Sequence, residues 1–345
     1  MTEQPPTAYD AILLLSFGGP EKAADVMPFL EHVTEGRSVP PERLAAVAEH
    51  YAAFDGKSPA NARCRQLIAA LRDELTAHGI TLPVYWGNLH WHPFVEATID
   101  RMADDGVQRA LVFVTSPYSS YSSCRKYLDA IARAREAVGE RAPVVDKIRA
   151  YYNHPRFIEA EADKVREAFD RLPAPRRKAA RLAFTAHSIP CAMAAECDYE
   201  AQLEDACQLV AAAVPRKRWQ LVYQSRSGRP TEPWLGPSVA EHLGAIAAIG
   251  VQDVVVAPIG FVLEHFEVVW DLDHEVRAQA EELELGFERA GTVDDHPAFV
   301  AMIRELIEER IGRGGTGEPV ERRRALGSRG PAEDRCGPNC CRYER

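Results

Sequence analysis

In the segment GFVLEHFEVVWDLDHE, residues 260–275, Glu267, Asp271 and Glu275 recur every four residues, with Glu264, His265, Asp273 and His274 crowded around them. Side chains four apart share a helix face, so these three acids form a stripe that repels itself. A surface helix whose acids face water accounts for such a stripe. A row of oxygen ligands also holds a divalent cation loosely and passes it along, and a widened helical turn would align the row better. His187 stands at the carboxyl end of the apolar run RLAFTA and is followed by the turn SIP. An ordinary pKa of ~6.5 lets an imidazole accept and release protons near neutrality. A histidine satisfied by neighbouring backbone is the plain alternative, but HFE also follows a strand of the same half. An imidazole facing a carboxylate can hold a divalent cation, take up protons, or do both in turn. The cysteines add a second chemistry. Cys336, Cys340 and Cys341 crowd the last ten residues, while Cys64, Cys124, Cys191, Cys197 and Cys207 are scattered through the body. In a reducing compartment such a cluster binds metal more often than it forms disulfides.

The elements that must position these groups alternate along the chain. The apolar runs AILLLS (11–16), PVYWGN (83–88), RALVFVTS (109–116), RLAFTAHS (181–188), WQLVYQS (219–225) and DVVVAPIG (253–260) are each followed by a helical pattern. Continuous apolar strands separated by helices predict parallel sheets covered on both faces. The two series split near residues 150–175, which predicts an α/β chain of two Rossmann-like halves facing one cleft. Domain boundaries are expected at 8–160 and 175–312. A last amphipathic helix spans 296–311, and the Gly/Arg-rich residues 313–345 are expected to form a mobile or extended tail carrying the cysteine cluster.

Ligands of doubly wound folds bind beyond the carboxyl ends of the strands. That rule collects SFGGPE (16–21), GNLHWHPF (87–94), TSPYSSYSSC (115–124), TAHSIP (185–190), QSRSG (224–228) and GFVLEHFE (260–267). No GxGxxG loop is among them. Aromatic residues are frequent in and around them instead, including Phe17, Trp86, Trp91, Phe94, Tyr118, Tyr121, Phe261, Phe266 and Trp270. A cleft so lined suits a large, flat, apolar ligand.

Composition narrows the class. At 345 residues the chain is long enough for two domains, and its net charge of −10 argues against nucleic acid as a partner. The start MTEQPPTAYD has no basic region followed by an apolar one, and no apolar run approaches the ~20 residues that span a bilayer. The protein is therefore expected to be cytoplasmic and not membrane-spanning.

The stretches LLLSFGGPE, KSPAN, FTAHSIP, YQSRSG…PWLGP and APIGFVLEHFEVVWDLDHE, in this order between about residues 10 and 310, resemble ferrochelatase, which inserts ferrous iron into a porphyrin. The wording is most similar to actinobacterial coproporphyrin III ferrochelatases. The resemblance implies a chelatase-like fold with two parallel four-stranded sheets flanked by helices. It makes His187 and Glu267 the iron-binding and proton-handling pair, and Asp271 and Glu275 the outer acids that deliver Fe2+. Ser58 and Tyr127, together with His50 and Tyr51, match porphyrin contacts. Phe17 occupies a porphyrin-side position where many bacillary members carry an iron-ligating tyrosine, a role Phe17 cannot fill. Arg37, Lys57, Arg125 and Lys126 are candidate donors to the porphyrin carboxylates.

The resemblance further implies a [2Fe–2S] cluster held by Cys197, Cys336, Cys340 and Cys341, with Cys191 and Cys207 as substitutes for Cys197. Four thiolates are the usual complement for such a cluster, and they also suit zinc. The expected partners are coproporphyrin III and Fe2+, with a monomeric enzyme handing its product to a coproheme decarboxylase. Rival readings are a protoporphyrin IX ferrochelatase, a chelatase for another metal and tetrapyrrole, a two-lobed binding protein, and an iron–sulfur redox or sensor protein.

Overall fold

The structure, a computed structural model, describes residues 8–36, 39–227, 231–312, 322–337 and 340–343. β1 (Ala11–Ser16) leads through α1 (Val26–Val33), α2 (Pro41–Ala52) and α3 (Ala60–Ala77) to β2 (Val84–Asn88). Then come α4 (Val95–Asp104), β3 (Arg109–Val114), α5 (Lys126–Val138) and β4 (Val144–Lys147). These strands form one parallel sheet in the order β2-β1-β3-β4. All six residues of β1 are buried, as a central strand covered on both faces requires.

The second series repeats that order. It runs α6 (Pro155–Arg171), β5 (Arg181–His187), α7 (Cys191–Ala194), α8 (Tyr199–Ala213), β6 (Trp219–Gln224), α9 (Val239–Ala248) and β7 (Asp253–Ala257). Next are α10 (Phe266–Val268), a π-helix over Val269–Val276, α11 (Arg277–Glu282), β8 (Gly286–Arg289) and α12 (Pro297–Ile311). The sheet order is β6-β5-β7-β8, again parallel throughout. The two four-stranded parallel sheets are the expected fold, and the acidic segment carries a widened turn, the π-helix, of the kind that would align its acids. β4 and β8 are additions to the sequence reading. Both are four-residue edge strands, VVDK and GFER, too short and too polar to announce themselves.

The chain divides into two compact units: Met1–Thr115 with Lys126–Ile148 and Ile303–Arg323, and Ser116–Arg125 with Arg149–Met302 and Arg324–Arg345. Residues 116–125 and 149–160 thus group with the second unit, and the described end of α12 with the first, in contrast to boundaries at 8–160 and 175–312. Named bonds explain the exchange. Tyr118 donates to the Ile259 carbonyl at 2.9 Å, and the Ser119 amide donates to Gln202 Oε1 at 2.8 Å. Arg304 meets Glu74 at 2.8 Å, and Arg310 donates to Tyr9 Oη at 2.7 Å and the Lys147 carbonyl at 2.9 Å.

Part of the expected tail is tied down: residues 322–337 are mostly exposed, but Arg324, Leu326 and Gly330 give backbone groups to Arg149 and Asn153. Buried Asn153 donates through Nδ2 to the Gly330 carbonyl at 2.8 Å and accepts the Leu326 amide at 2.8 Å on its own carbonyl. Buried Arg149 donates to the Arg324 carbonyl at 2.9 Å. A polar, Gly-rich segment has little apolar surface to bury, so its order comes from backbone groups that find partners. Residues 313–321 lie outside the described residues.

Candidate active site

β5 delivers His187 at its last position, and Gly260 lets the following element come close. The Gly260 amide donates to the Thr185 carbonyl at 3.0 Å, and a Cβ on residue 260 would stand 2.7 Å from Ala186 Cα. Only a residue without a side chain permits that approach. The loop then turns into α10, where Glu267 Oε1 lies 3.5 Å from His187 Nε2. Both side chains are partly exposed, at 33% and 42%. His187 Nδ1 donates to the Ser188 carbonyl, which assigns the tautomer and leaves Nε2 as the atom able to bind a proton or a cation. Tyr199 Oη donates to the His187 carbonyl at 3.1 Å, so the main chain beneath the imidazole is fixed as well.

Charge sets the protonation states. Burial disfavours a charged imidazole, but the Glu267 carboxylate and the hydrogen bonds to Glu267 and Ser188 outweigh it and raise the His187 pKa. Burial likewise opposes a charged Glu267, yet His187 and His265 hold that carboxyl below its ordinary range. Asp271 behaves in the opposite way. Burial first and the Glu267 charge second push it up to about 7, against hydrogen bonds from Ser225 and Gln224. Gln224 Nε2 donates to Asp271 Oδ2 at 3.0 Å, and Ser225 Oγ makes a shorter bond to the same oxygen. Ser225 holds a left-handed backbone, φ 61°, which non-glycine residues adopt at a cost and which aims its hydroxyl at Asp271. Two acids with pKa values pushed apart and an imidazole beside one of them are the apparatus of proton transfer.

The acids run outward from α10 along the π-helix: Glu267 beside His187 and Asp271 are half-buried, and Glu275 is exposed. Among the described residues no group of three or more His, Cys, Asp or Glu side chains has metal-ligating geometry.

The other expected contacts lie in the first unit, except Arg125, which groups with the second. Phe17 is exposed at 43% and sits 4.6 Å, centroid to centroid, from the ring of His90. Phe29 joins it to Tyr51 and Trp91, at 6.3 and 6.1 Å, so the end of β1 carries an aromatic platform. Tyr51 is itself buried and His50 half-buried. Ser58 is buried, its Oγ accepting the Ala60 amide at 3.3 Å. Tyr127 is packed within the core between β1, β3 and α5, and burial pushes its phenol well up. Lys126 Nζ donates to His90 Nε2 at 2.8 Å, Arg125 is half-buried, Lys57 is exposed, and Arg37 lies outside the described residues.

The cysteines are only partly gathered. Cys340 and Cys341 bring their sulfurs to 3.6 Å. Burial pushes the Cys341 thiol up, and Cys340, Cys124 and Cys197 lie close enough to push it further. Cys197 Sγ donates to the Met193 carbonyl at 3.3 Å. Cys336 is exposed, Cys191 half-buried, and Cys207 fully buried in the core. Cys124, absent from the sequence reading as a ligand, is nearer this group than its position 217 residues before Cys341 could suggest. Tyr199 was also missed, whereas Gln224 and Ser225 lay in a loop already singled out, QSRSG.

The sequence profile of the ferrochelatase family matches residues 9–311. This chain belongs to the ferrochelatase family. It is accordingly a metal chelatase, and its relatives extend over nearly its full length. A ferrochelatase of Rhodopirellula baltica is 48% identical over 344 residues, covering 99% of this chain and 95% of that one. A coproporphyrin III ferrochelatase of Nocardia farcinica is 52% identical over 312 residues, 88% and 89% of the two chains. In fold, the chain is similar to the sirohydrochlorin chelatase SirB of Bacillus subtilis in complex with cobalt. That likeness has a TM-score of 0.52 at 14% identity and covers 88% of this ferrochelatase and 97% of SirB. Among the described residues no helix is long and apolar enough to cross a membrane.

Proposed function

We propose that this enzyme inserts Fe2+ into coproporphyrin III to form coproheme. The observation that carries the choice of porphyrin is the name of the Nocardia relative, 52% identical over 88% of the chain. The residues support the chemistry. Fe2+, the substrate, enters past Glu275 and Asp271 and is held by His187 and Glu267. Two pyrrole protons must leave as iron enters. His187 Nε2, its pKa raised by Glu267, is the stronger base for the first, and the carboxylate 3.5 Å away stabilises the imidazolium that forms. Phe17 and the rings behind it supply a flat apolar contact for the macrocycle, with Ser58, His50, Tyr51 and Tyr127 lining or backing that surface. Lys57, Arg125 and Lys126 are the available cations for its carboxylates. The enzyme works as a cytoplasmic monomer whose product passes to a coproheme decarboxylase.

The decisive experiment incubates the full chain anaerobically with Fe2+ and either coproporphyrin III or protoporphyrin IX while absorbance is followed. Coproporphyrin is expected to be metallated with a kcat/KM at least about tenfold higher. Equal use of protoporphyrin overturns the choice of porphyrin, and turnover of neither overturns the reading.

The tail cysteines extend the proposal. Cys336, Cys340 and Cys341 with Cys197 supply four thiols for a [2Fe–2S] cluster, and the short Cys340–Cys341 separation and the proximity of Cys197 fit that use. Cys124 competes with Cys197 as internal ligand. Such a cluster supplies a one-electron redox centre and fastens the carboxyl terminus. Anaerobically purified protein should carry two irons and two labile sulfides per chain, lost in Cys197→Ser or Cys124→Ser. One zinc and no sulfide would remove the cluster.

A further inference from the structure

Beneath the acidic stripe lies an arginine that reaches no reacting group. Arg289 ends β8, where it pairs with Val256 of β7, and its carbonyl accepts a bond from Arg171. Its guanidinium is largely buried and grips two carboxylates. Nε and Nη2 donate to the two oxygens of Asp273, at 2.8 and 2.7 Å, and Nη1 donates to Glu264 Oε1 at 2.7 Å. Glu264 is further tied by its amide to Asp294 Oδ1 at 2.9 Å, and its Oε1 also accepts the Thr292 amide at 3.3 Å.

The positions of the two partners give this grip its meaning. Glu264 lies three residues before Glu267, and Asp273 two residues after Asp271. The segment between them enters the π-helix at Val269. A π turn is rare because its geometry is poorer than that of an α turn, so contacts from outside the helix must decide where it sits. A slip of the segment into an α turn would change the rotation of Glu267 relative to Asp271 and draw each from its present partners, His187 for Glu267 and the Gln224–Ser225 pair for Asp271. A bidentate arginine fixes both distance and angle, which a lysine cannot do.

We propose that Arg289 is a positioning residue for iron insertion: by tying Glu264 to Asp273 it fixes the wide turn that sets Glu267 and Asp271 in register. This rests on the assignment of Glu267 and Asp271 to iron handling.

The test compares Arg289→Gln, Arg289→Lys, Glu267→Gln and the double variant Arg289→Gln/Glu267→Gln in the full-length enzyme, with Fe2+ and coproporphyrin III. R289Q should lower kcat roughly 10²-fold, the scale of a misplacement of about 1 Å, with the porphyrin KM changed by less than about threefold. R289K should recover part of the loss, since it keeps the charge but holds one carboxylate at a time. The double variant should be no worse than E267Q alone, because a residue acting through Glu267 has nothing left to position. A folded R289Q with wild-type kcat, or losses that multiply in the double variant, overturns the proposal. Should R289Q fail to fold, Asp273→Asn removes one arm of the grip, and unchanged kcat in that variant overturns it equally. Full turnover by E267Q would instead remove the catalytic reading on which the proposal stands; an inactive E267Q beside an active R289Q removes the proposal alone.

Discussion

His154 gives the structure a measurable pH dependence outside the active site. It is fully buried at the start of α6, where its Nδ1 accepts the Arg156 amide at 3.3 Å as an N-cap. Burial first, and then the charges of Arg149, Arg324 and Arg156, push its pKa down to about 3. In the unfolded chain the imidazole titrates near ~6.5. Between these values the unfolded chain binds a proton that the folded one refuses, so stability is complete above pH ~6.5 and declines as pH falls, by up to ~1.4 kcal/mol per unit. From pH 7 to pH 5 the loss sums to ~2 kcal/mol, in a window above most of the carboxylate range. His154→Asn keeps an N-cap acceptor and removes the titration. Urea unfolding of both proteins at pH 7, 6 and 5 should show the wild type losing ~2 kcal/mol more than H154N over that interval. His242 and His265, also held down by burial, are common to both proteins and cancel. Parallel pH profiles for the two proteins would refute the reasoning.

His187→Ala should reduce kcat by ~10²–10⁴ while porphyrin binding, followed by fluorescence quenching, persists; turnover within a few-fold of wild type would remove the imidazole from the mechanism. Glu267→Gln should act on kcat, whereas Asp271→Asn and Glu275→Gln should chiefly raise the KM for Fe2+, and equal kcat losses in all three would make the stripe one site and not a track. Glu161 is fully buried with its pKa raised by desolvation, and its Oε1 accepts no hydrogen bond among the described residues. A raised carboxyl pKa gives stability below the unfolded value of ~4.5 that is lost as pH rises, so Glu161→Gln should raise the urea midpoint at pH 8 and leave it near parity at pH 4; a lower midpoint at pH 8 would contradict this.

What the sequence made legible was whatever it encodes locally. β1, β3, β5 and β7 are continuous apolar runs, and a buried parallel strand can be read from nothing else. The spacing of Glu267, Asp271 and Glu275 put three acids on one helix face, whereas the wide turn that carries the outer two is not dictated by that spacing. The rest depends on partners far away in sequence. Nothing around residue 289 indicates that its arginine reaches back to Glu264, and nothing in SRGPAEDR indicates that Asn153 will receive its backbone. Edge strands such as VVDK read as loop because half of each faces no core. Ser225 was within a quoted motif, yet its role follows from a backbone angle that no residue pattern displays.

The first unit is stitched from three pieces of chain, and the order of synthesis gives that arrangement a cost. Its sheet is complete in sequence by Lys147, yet Arg304 and Arg310, which reach Glu74 and Tyr9, are separated from them by 230 and 301 residues. On the ribosome both sheets, and the second unit as far as Met302, are therefore made before the first receives the residues of its last helix. Contacts of such sequence separation form late, and a half-finished unit exposes the apolar surface that draws chains into aggregates. Emergence of α12 from the exit tunnel, rather than closure of either sheet, then times the completion of the first unit.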